Sequence, residues 1–191
     1  PGLMSMSVLF GTTSMLAVTI TFERRGRSFE RLLLAPISLA AMVAAKLSGA
    51  ILFGIFNAFV PVVFAAFFVD LAGINWGAVL LAVFLIAVTS TLLGLVIAVS
   101  AREVFEAQTF SNFFRFPMLF LCGLFIPIST LPVFLRPLSF LLPLTYGTDL
   151  LNRWILGVSM LPPLLCILVL MVFAGVLFAI SHLNIQRKWI L

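Results

Sequence analysis

Apolar residues in this chain run in long unbroken stretches instead of alternating with polar ones. Residues 1–22, 47–69, 71–101, 116–135 and 154–186 contain no Asp, Glu, Lys or Arg. A bilayer core of roughly 30 Å takes about 20 helical residues to cross. The stretches predict five spanning helices, at about 3–22, 42–69, 77–100, 107–127 and 159–182. Gly73, Asn75 and Gly77 mark a turn before the third. Residues 128–155 are apolar too, but Pro127, Pro132, Pro137 and Pro143 interrupt them. A proline inside a helix removes a backbone hydrogen bond and clashes with the preceding turn, so this segment cannot be one regular span. Non-helical backbone at membrane depth needs protein or a water-filled cavity over it. Two short helices that dip in and return satisfy that need, which predicts a re-entrant segment at about 128–155.

Composition narrows the class. Of 191 residues, 63% are hydrophobic and 9% are charged, with a mean hydropathy of +1.30. A typical soluble domain carries about 25% charged residues. Eleven basic and six acidic residues cannot cover the surface of a soluble fold of this size. Soluble globular, disordered and disulfide-scaffold classes are excluded. A membrane β-barrel is excluded as well, because its strands alternate in polarity. The fold class is an all-α polytopic membrane protein. Cys122 and Cys166 sit inside apolar runs and read as small packing residues.

The net charge of +5 does not call for nucleic acid, since basic residues gather near membrane ends as topology determinants. Arg24, Arg25, Arg27 and Arg31 lie between the first two spans, Arg102 between the third and fourth, and Arg187 and Lys188 after the last. If the spans alternate and the proline-broken segment returns to its own side, all three groups share one side. The opposite side holds Asp70, Arg136, Asp149 and Arg153. The positive-inside rule puts the C-terminus in the cytoplasm and Pro1 outside. The chain opens without a Met and runs straight into an apolar stretch, so a sixth span is expected upstream of this five-span fragment. Residues 1–191 read as a single transmembrane domain with no internal repeat.

Two segments carry more than topology. The first, FERRGRSFERLLLAPIS from Phe22 to Ser38, alternates charge through Glu23, Arg24, Arg25, Arg27, Glu30 and Arg31 before a Leu run. Residues four apart share a helix face, as Glu23, Arg27 and Arg31 would. Physical chemistry leaves two readings open: an amphipathic loop that sets topology, or a helix of about residues 23–35 that docks a cytoplasmic protein. The second segment runs from Phe116 to Arg153 and concentrates Pro127, Pro132, Arg136, Pro143, Tyr146, Asp149 and Arg153. Arg136, Asp149 and Arg153 read either as snorkelling anchors with a local ion pair or as an exit gate.

Both segments resemble ABC-2 type transporter permeases, the membrane subunits of one class of ABC exporter. The first matches the family's first cytoplasmic loop through the two Glu-Arg pairs, the Leu run and Pro36-Ile37-Ser38, with Lys46 early in the next span. The second resembles the family's last external connection: Phe116-Pro117, Gly123, Ile126-Pro127-Ile128-Ser129, Leu131-Pro132, Leu135 to Leu138, and Pro143-Leu144-Thr145-Tyr146 with Asp149. The resemblance covers about residues 5–182. It implies that Glu23, Arg24, Arg25, Gly26, Arg27, Glu30 and Arg31 form a coupling helix seated on an ATP-binding subunit. It also implies a second permease subunit, as homodimer or heterodimer, within the lipid of the plasma (inner) membrane. Pro127, Pro132, Arg136, Pro143, Tyr146, Asp149 and Arg153 would then form an external gate.

Arg102, Glu103 and Glu106 open the fourth predicted span. They read as a solvated helix start or as a second contact with the ATPase. Asn57, Pro61 and the Thr89-Ser90-Thr91 cluster read as helix–helix packing or as lining of a translocation route. Gly94 and Gly175 read as sites of close helix approach. Arg115 lies too deep to be free, so it should snorkel, pair with Glu106 or face a cavity. His182, the single histidine, reads as interfacial.

The chain has no G-x-x-x-x-G-K-[ST] and no H-E-x-x-H. No catalytic residue, metal site or cofactor is expected on it, and the chain itself is not expected to be an enzyme. ATP and Mg would bind the partner subunit. The expected function is export of an amphipathic drug, lipid or lipid-linked glycan. The alternative is a polytopic transporter or channel with no ATPase partner.

Overall fold

The structure, a computed structural model, describes residues 1–26, 39–69, 71 and 73–189. Every regular element among them is helical: α1 (Gly2–Arg25), α2 (Leu39–Ala65), α3 (Trp76–Ser100), α4 (Val104–Leu121), a 3-10 turn (Ile128–Thr130), α5 (Arg136–Phe140), α6 (Pro143–Leu156) and α7 (Pro163–Trp189). Among the described residues, four helices are long and apolar enough to cross a membrane: Gly2–Glu23, Ala41–Ala65, Trp76–Ser100 and Pro163–Ile185.

The fourth predicted span differs from expectation. Its helix starts at Val104 and ends at Leu121, six residues short of the predicted 127, and it is not among the four apolar spans. Gln108, Asn112 and Arg115 interrupt its apolar run. It stops where Gly123 takes a left-handed φ of 77°, a conformation that closes helix ends and suits glycine best. The last span begins at Pro163 instead of 159, because residues 157–162 form a connection opened by left-handed Gly157.

Helix α3 is the axis of the bundle. Within its apolar window 72% of residues are buried, against 17% for α2 and 17% for α7. Its neighbours are α1, α7, α6 and α2, and α1 lies between α3, α2 and α4. Small residues let these helices approach. A Cβ at Gly54 of α2 would overlap the Thr12 methyl of α1, and one at Gly147 of α6 would overlap Ile86 of α3. At Gly94, a Cβ would sit 3.0 Å from the Thr13 carbonyl oxygen. Gly175 has no such neighbour within 4 Å, so the expected close approach is absent there.

Polar residues inside the helices mostly satisfy themselves. Thr12, Thr21, Thr89 and Ser111 each donate to a carbonyl four residues back in their own helix. This keeps the hydroxyl hydrogen-bonded in apolar surroundings without a partner helix. Asn57 does cross between helices, donating from Nδ2 to the Ser7 carbonyl of α1 at 3.2 Å. The periphery is apolar instead: Phe56, Phe64, Phe67 and Phe68 on and after α2, and Leu164, Leu168, Met171 and Val172 on α7, are exposed. Such surfaces belong against lipid or protein, not water.

Candidate functional site

Three helix ends meet at the charged end of the bundle. Glu23 and Arg25 lie in the last turn of α1, which continues through Arg25 as one helix. Gly26 closes it, its N–H donating to the Phe22 carbonyl at 2.9 Å. The Glu23 carboxylate forms an ion pair with Lys46 of α2, and both side chains are mostly buried. Arg25 pairs with Glu103 of α4 at 3.3 Å, with both side chains more than half exposed. Glu106 accepts the Arg102 backbone N–H at 2.7 Å and so occupies one of the free donors at the start of α4. The two sequence-predicted cytoplasmic groups, around Glu23 and around Glu103, therefore touch. Arg27, Glu30 and Arg31, and with them most of the predicted helix at 23–35, lie outside the described residues.

At the other end, the proline-rich segment folds as short helices whose loose backbone groups are capped by side chains. Pro143 has no N–H to donate back to Ser139. The Ser139 carbonyl accepts the Leu142 N–H at 3.2 Å and the Thr145 hydroxyl. The Tyr146 hydroxyl donates to the Phe140 carbonyl at 2.7 Å. Arg136 donates from Nε to the Leu131 carbonyl at 3.0 Å and from an amino nitrogen to the Ser129 carbonyl at 2.6 Å. Asp149 accepts the Met160 N–H at 2.8 Å and the Leu161 N–H at 3.1 Å, joining α6 to the entry of α7. Arg153 donates to Ser159 at 3.0 Å. A cleft of about 370 Å³ opens here, lined by Cys122, Gly123, Pro127, Thr145, Asp149 and Asn152 among others.

A sequence model of the ABC-2 type transporter family matches residues 1–156. That span takes in the charged connection and the proline segment through the end of α6. The chain belongs to the ABC-2 type transporter family. It is similar to the inner membrane transport permease YadH of Escherichia coli strain K12, at 29% identity over 187 residues. The alignment covers 98% of this chain and 73% of that one. YadH of Shigella flexneri matches to the same extent. An ABC-2 permease is a membrane transporter subunit, and the family implies an ABC ATP-binding partner.

The permease departs from the sequence reading at two charged places. Asp149 and Arg153 do not pair, although their spacing on α6 would allow it. Asp149 is buried and takes backbone donors, while Arg153 is exposed and reaches forward to Ser159. Arg115 neither snorkels nor pairs with Glu106. It is 1% exposed, and one amino nitrogen donates to the Ser14 hydroxyl of α1 at 2.6 Å. Its guanidinium also lies 5.0 Å from the centre of the Phe10 ring, a favourable cation–π distance. Asn112, one turn back, offers Oδ1 at 3.5 Å.

Sequence reasoning singled out Arg115 but not Ser14 or Phe10. Neither is unusual in an apolar stretch, and only the packing of α1 on α4 selects them. Lys46 was visible as the single basic residue early in the second predicted span. Its partner was not, since Glu23 was one of several charges nearby.

Proposed function

We propose that the chain is the permease subunit of an ATP-driven exporter in the inner membrane, moving an amphipathic drug, lipid or lipid-linked glycan out of the cytoplasm. In this reading residues 1–191 form one transmembrane domain with five spans. The α4 helix is the shortest and most polar of them, and residues 128–155 form a re-entrant external gate. The C-terminus is cytoplasmic. Two permease subunits, alike or different, pair above two ATP-binding subunits that carry ATP and Mg.

The observation that carries the reading is the pair of ionic ties at the charged end. Glu23–Lys46 and Arg25–Glu103 bind the ends of α1, α2 and α4 beside the charged connection. A push on the connection from an ATPase below would reach three helices at once. Family membership supports an ATPase as its source, and the inner-membrane relatives support the location. The exposed apolar faces of α2 and α7 suit lipid and an apolar route.

The test is co-purification and transport. Charge reversal at both Glu23 and Glu30, E23K with E30K, is expected to abolish co-purification with the ATP-binding subunit and ATP-driven export. Retention of both by the double variant sinks the coupling assignment. Export that continues in vesicles with a hydrolysis-dead ATPase would favour the alternative, a transporter or channel needing no ATPase.

A further inference from the structure

Among the described residues, Arg115 is a cation with nothing negative beside it. It is buried to 1% exposure, and its described partners are a serine hydroxyl, an amide oxygen and an aromatic face. Its Nε has no hydrogen-bond partner among the described residues. A guanidinium keeps its proton at any pH a protein meets, so it cannot escape this position by becoming neutral.

Depth makes the position costly. Ser14, which receives the guanidinium, sits twelve residues from Gly2 and nine from Glu23 in the first span. At about 1.5 Å per residue, that is roughly 18 Å and 14 Å from its two ends. Charged side chains near the bilayer centre are rare and mark pathways for ligands or ions.

No carboxylate among the described residues neutralises this charge. The chain has six acidic residues. Glu23 and Glu103 are in ion pairs at the charged end, and Glu106 holds a backbone N–H there. Asp149 is bound to two backbone N–H groups at the opposite end. Glu30 and Asp70 lie outside the described residues. None of the four described carboxylates lies beside Arg115. The site is also close to the surface: Ser14, Phe10 and Asn112 are each half-buried. The guanidinium lies one side chain beneath the seam between α1 and α4.

We propose that Arg115 recognises the anionic headgroup, phosphate or carboxylate, of an amphiphile that enters the α1–α4 seam. The planar guanidinium offers Nε and an amino nitrogen as a fork that suits two oxygens of one anionic group. The Phe10 ring and the apolar faces of the helices suit the chain attached to it. The inference deepens the exporter reading and rests on it for the passage of such a molecule. It narrows the substrate to anionic amphiphiles.

The test uses the purified permease in neutral detergent with three probes: dioctanoyl phosphatidic acid, dioctanoylglycerol and inorganic phosphate. Wild-type protein is expected to bind the phosphatidic acid about ten- to a hundredfold more tightly than the uncharged diacylglycerol, the range of a charge-assisted hydrogen-bonded pair. Arg115→Gln is expected to erase that ratio, and Arg115→Lys to keep part of it. Removing an uncompensated buried charge should leave the thermal midpoint of Arg115→Gln at or above wild type. A merely structural arginine predicts a lower midpoint and no change in the ratio. The proposal is overturned if wild type shows no preference or if Arg115→Gln keeps it. Inorganic phosphate binding as tightly as the amphiphile would also overturn it, by showing a site for free anions. A binding ratio that depends on Arg115, together with no ATP-driven export by the assembled complex, supports this site and fails the exporter reading alone.

Discussion

The two ends of the bundle hold their charges in opposite ways. At the end that carries the basic residues, two ion pairs join side chains on different helices, Glu23 to Lys46 and Arg25 to Glu103, while Glu106 takes a backbone N–H. At the proline-rich end, side chains bond mostly to backbone, with Arg153 to Ser159 the exception. Arg136, Thr145 and Tyr146 cover carbonyls, and Asp149 covers two N–H groups. The first arrangement joins separate helices, and its exposed Arg25–Glu103 tie can break and re-form at small cost. The second specifies a local chain path, because each bond ties a side chain to backbone groups at or between the short helices. One end is built to transmit a displacement and the other to keep a shape. Changes at the proline end should therefore cost stability, and changes at the charged end should cost coupling.

The largest effect is expected at Asp149. Its buried carboxylate accepts the part-buried Met160 and Leu161 N–H groups and lies 3.8 Å from the buried Cys166 sulfur. Hydrogen bonds to charged groups contribute about 1.5–3 kcal/mol, and a stranded buried donor adds its own desolvation cost. Asp149→Ala should destabilise the purified permease by about 3 kcal/mol, read as a lower thermal midpoint in detergent. Asp149→Asn keeps one acceptor and should cost about half as much. A loss below about 0.5 kcal/mol for Asp149→Ala would mean that this end does not depend on its backbone caps, and the contrast between the ends would fail.

Most of the fold was legible in the sequence because apolar length is a strong signal. The runs at 1–22 and 71–101 lie over helices Gly2–Arg25 and Trp76–Ser100, within a few residues. The boundary at Leu121 was not legible. Phe116 to Phe125 is apolar on both sides of it, and the stop depends on the backbone of Gly123. The partners of single charges were the least legible. Spacing placed Asp149 opposite Arg153, but burial separated them. Arg115 stood out as a charge in an apolar helix. The serine and phenylalanine that receive it come from a helix about a hundred residues away in the chain, and no local periodicity points there.

Tyr146 is the next test, at intermediate size. Its hydroxyl donates to the Phe140 carbonyl across the Pro143 break. Tyr146→Phe removes that donor and keeps the ring, so a loss of about 1 kcal/mol is expected, the ordinary net worth of one hydrogen bond. Thermal midpoints of the two proteins measure it. ATPase coupling should survive, since nothing at the charged end changes. A Tyr146→Phe protein of unchanged stability but uncoupled ATPase would reverse the roles assigned to the two ends.

The smallest stability effect belongs to Arg25 and Glu103, and it is the most informative about coupling. Exposed ion pairs are worth about 0–1 kcal/mol, because water and salt screen them and two long side chains lose freedom. Arg25→Glu should leave the thermal midpoint almost unchanged, as should Glu103→Arg. Each single variant places like charges together and should loosen α1 from α4. The exchanged pair, R25E with E103R, restores the attraction with the partners swapped. If the tie transmits motion between the helices, both single variants lower substrate-stimulated ATPase activity and the exchange recovers it. If Arg25 acts instead by touching the ATP-binding subunit directly, the exchange stays as impaired as Arg25→Glu alone. Four proteins measured for midpoint and stimulated ATPase activity separate these outcomes. They ask whether a contact of negligible stability is retained for the movement it carries.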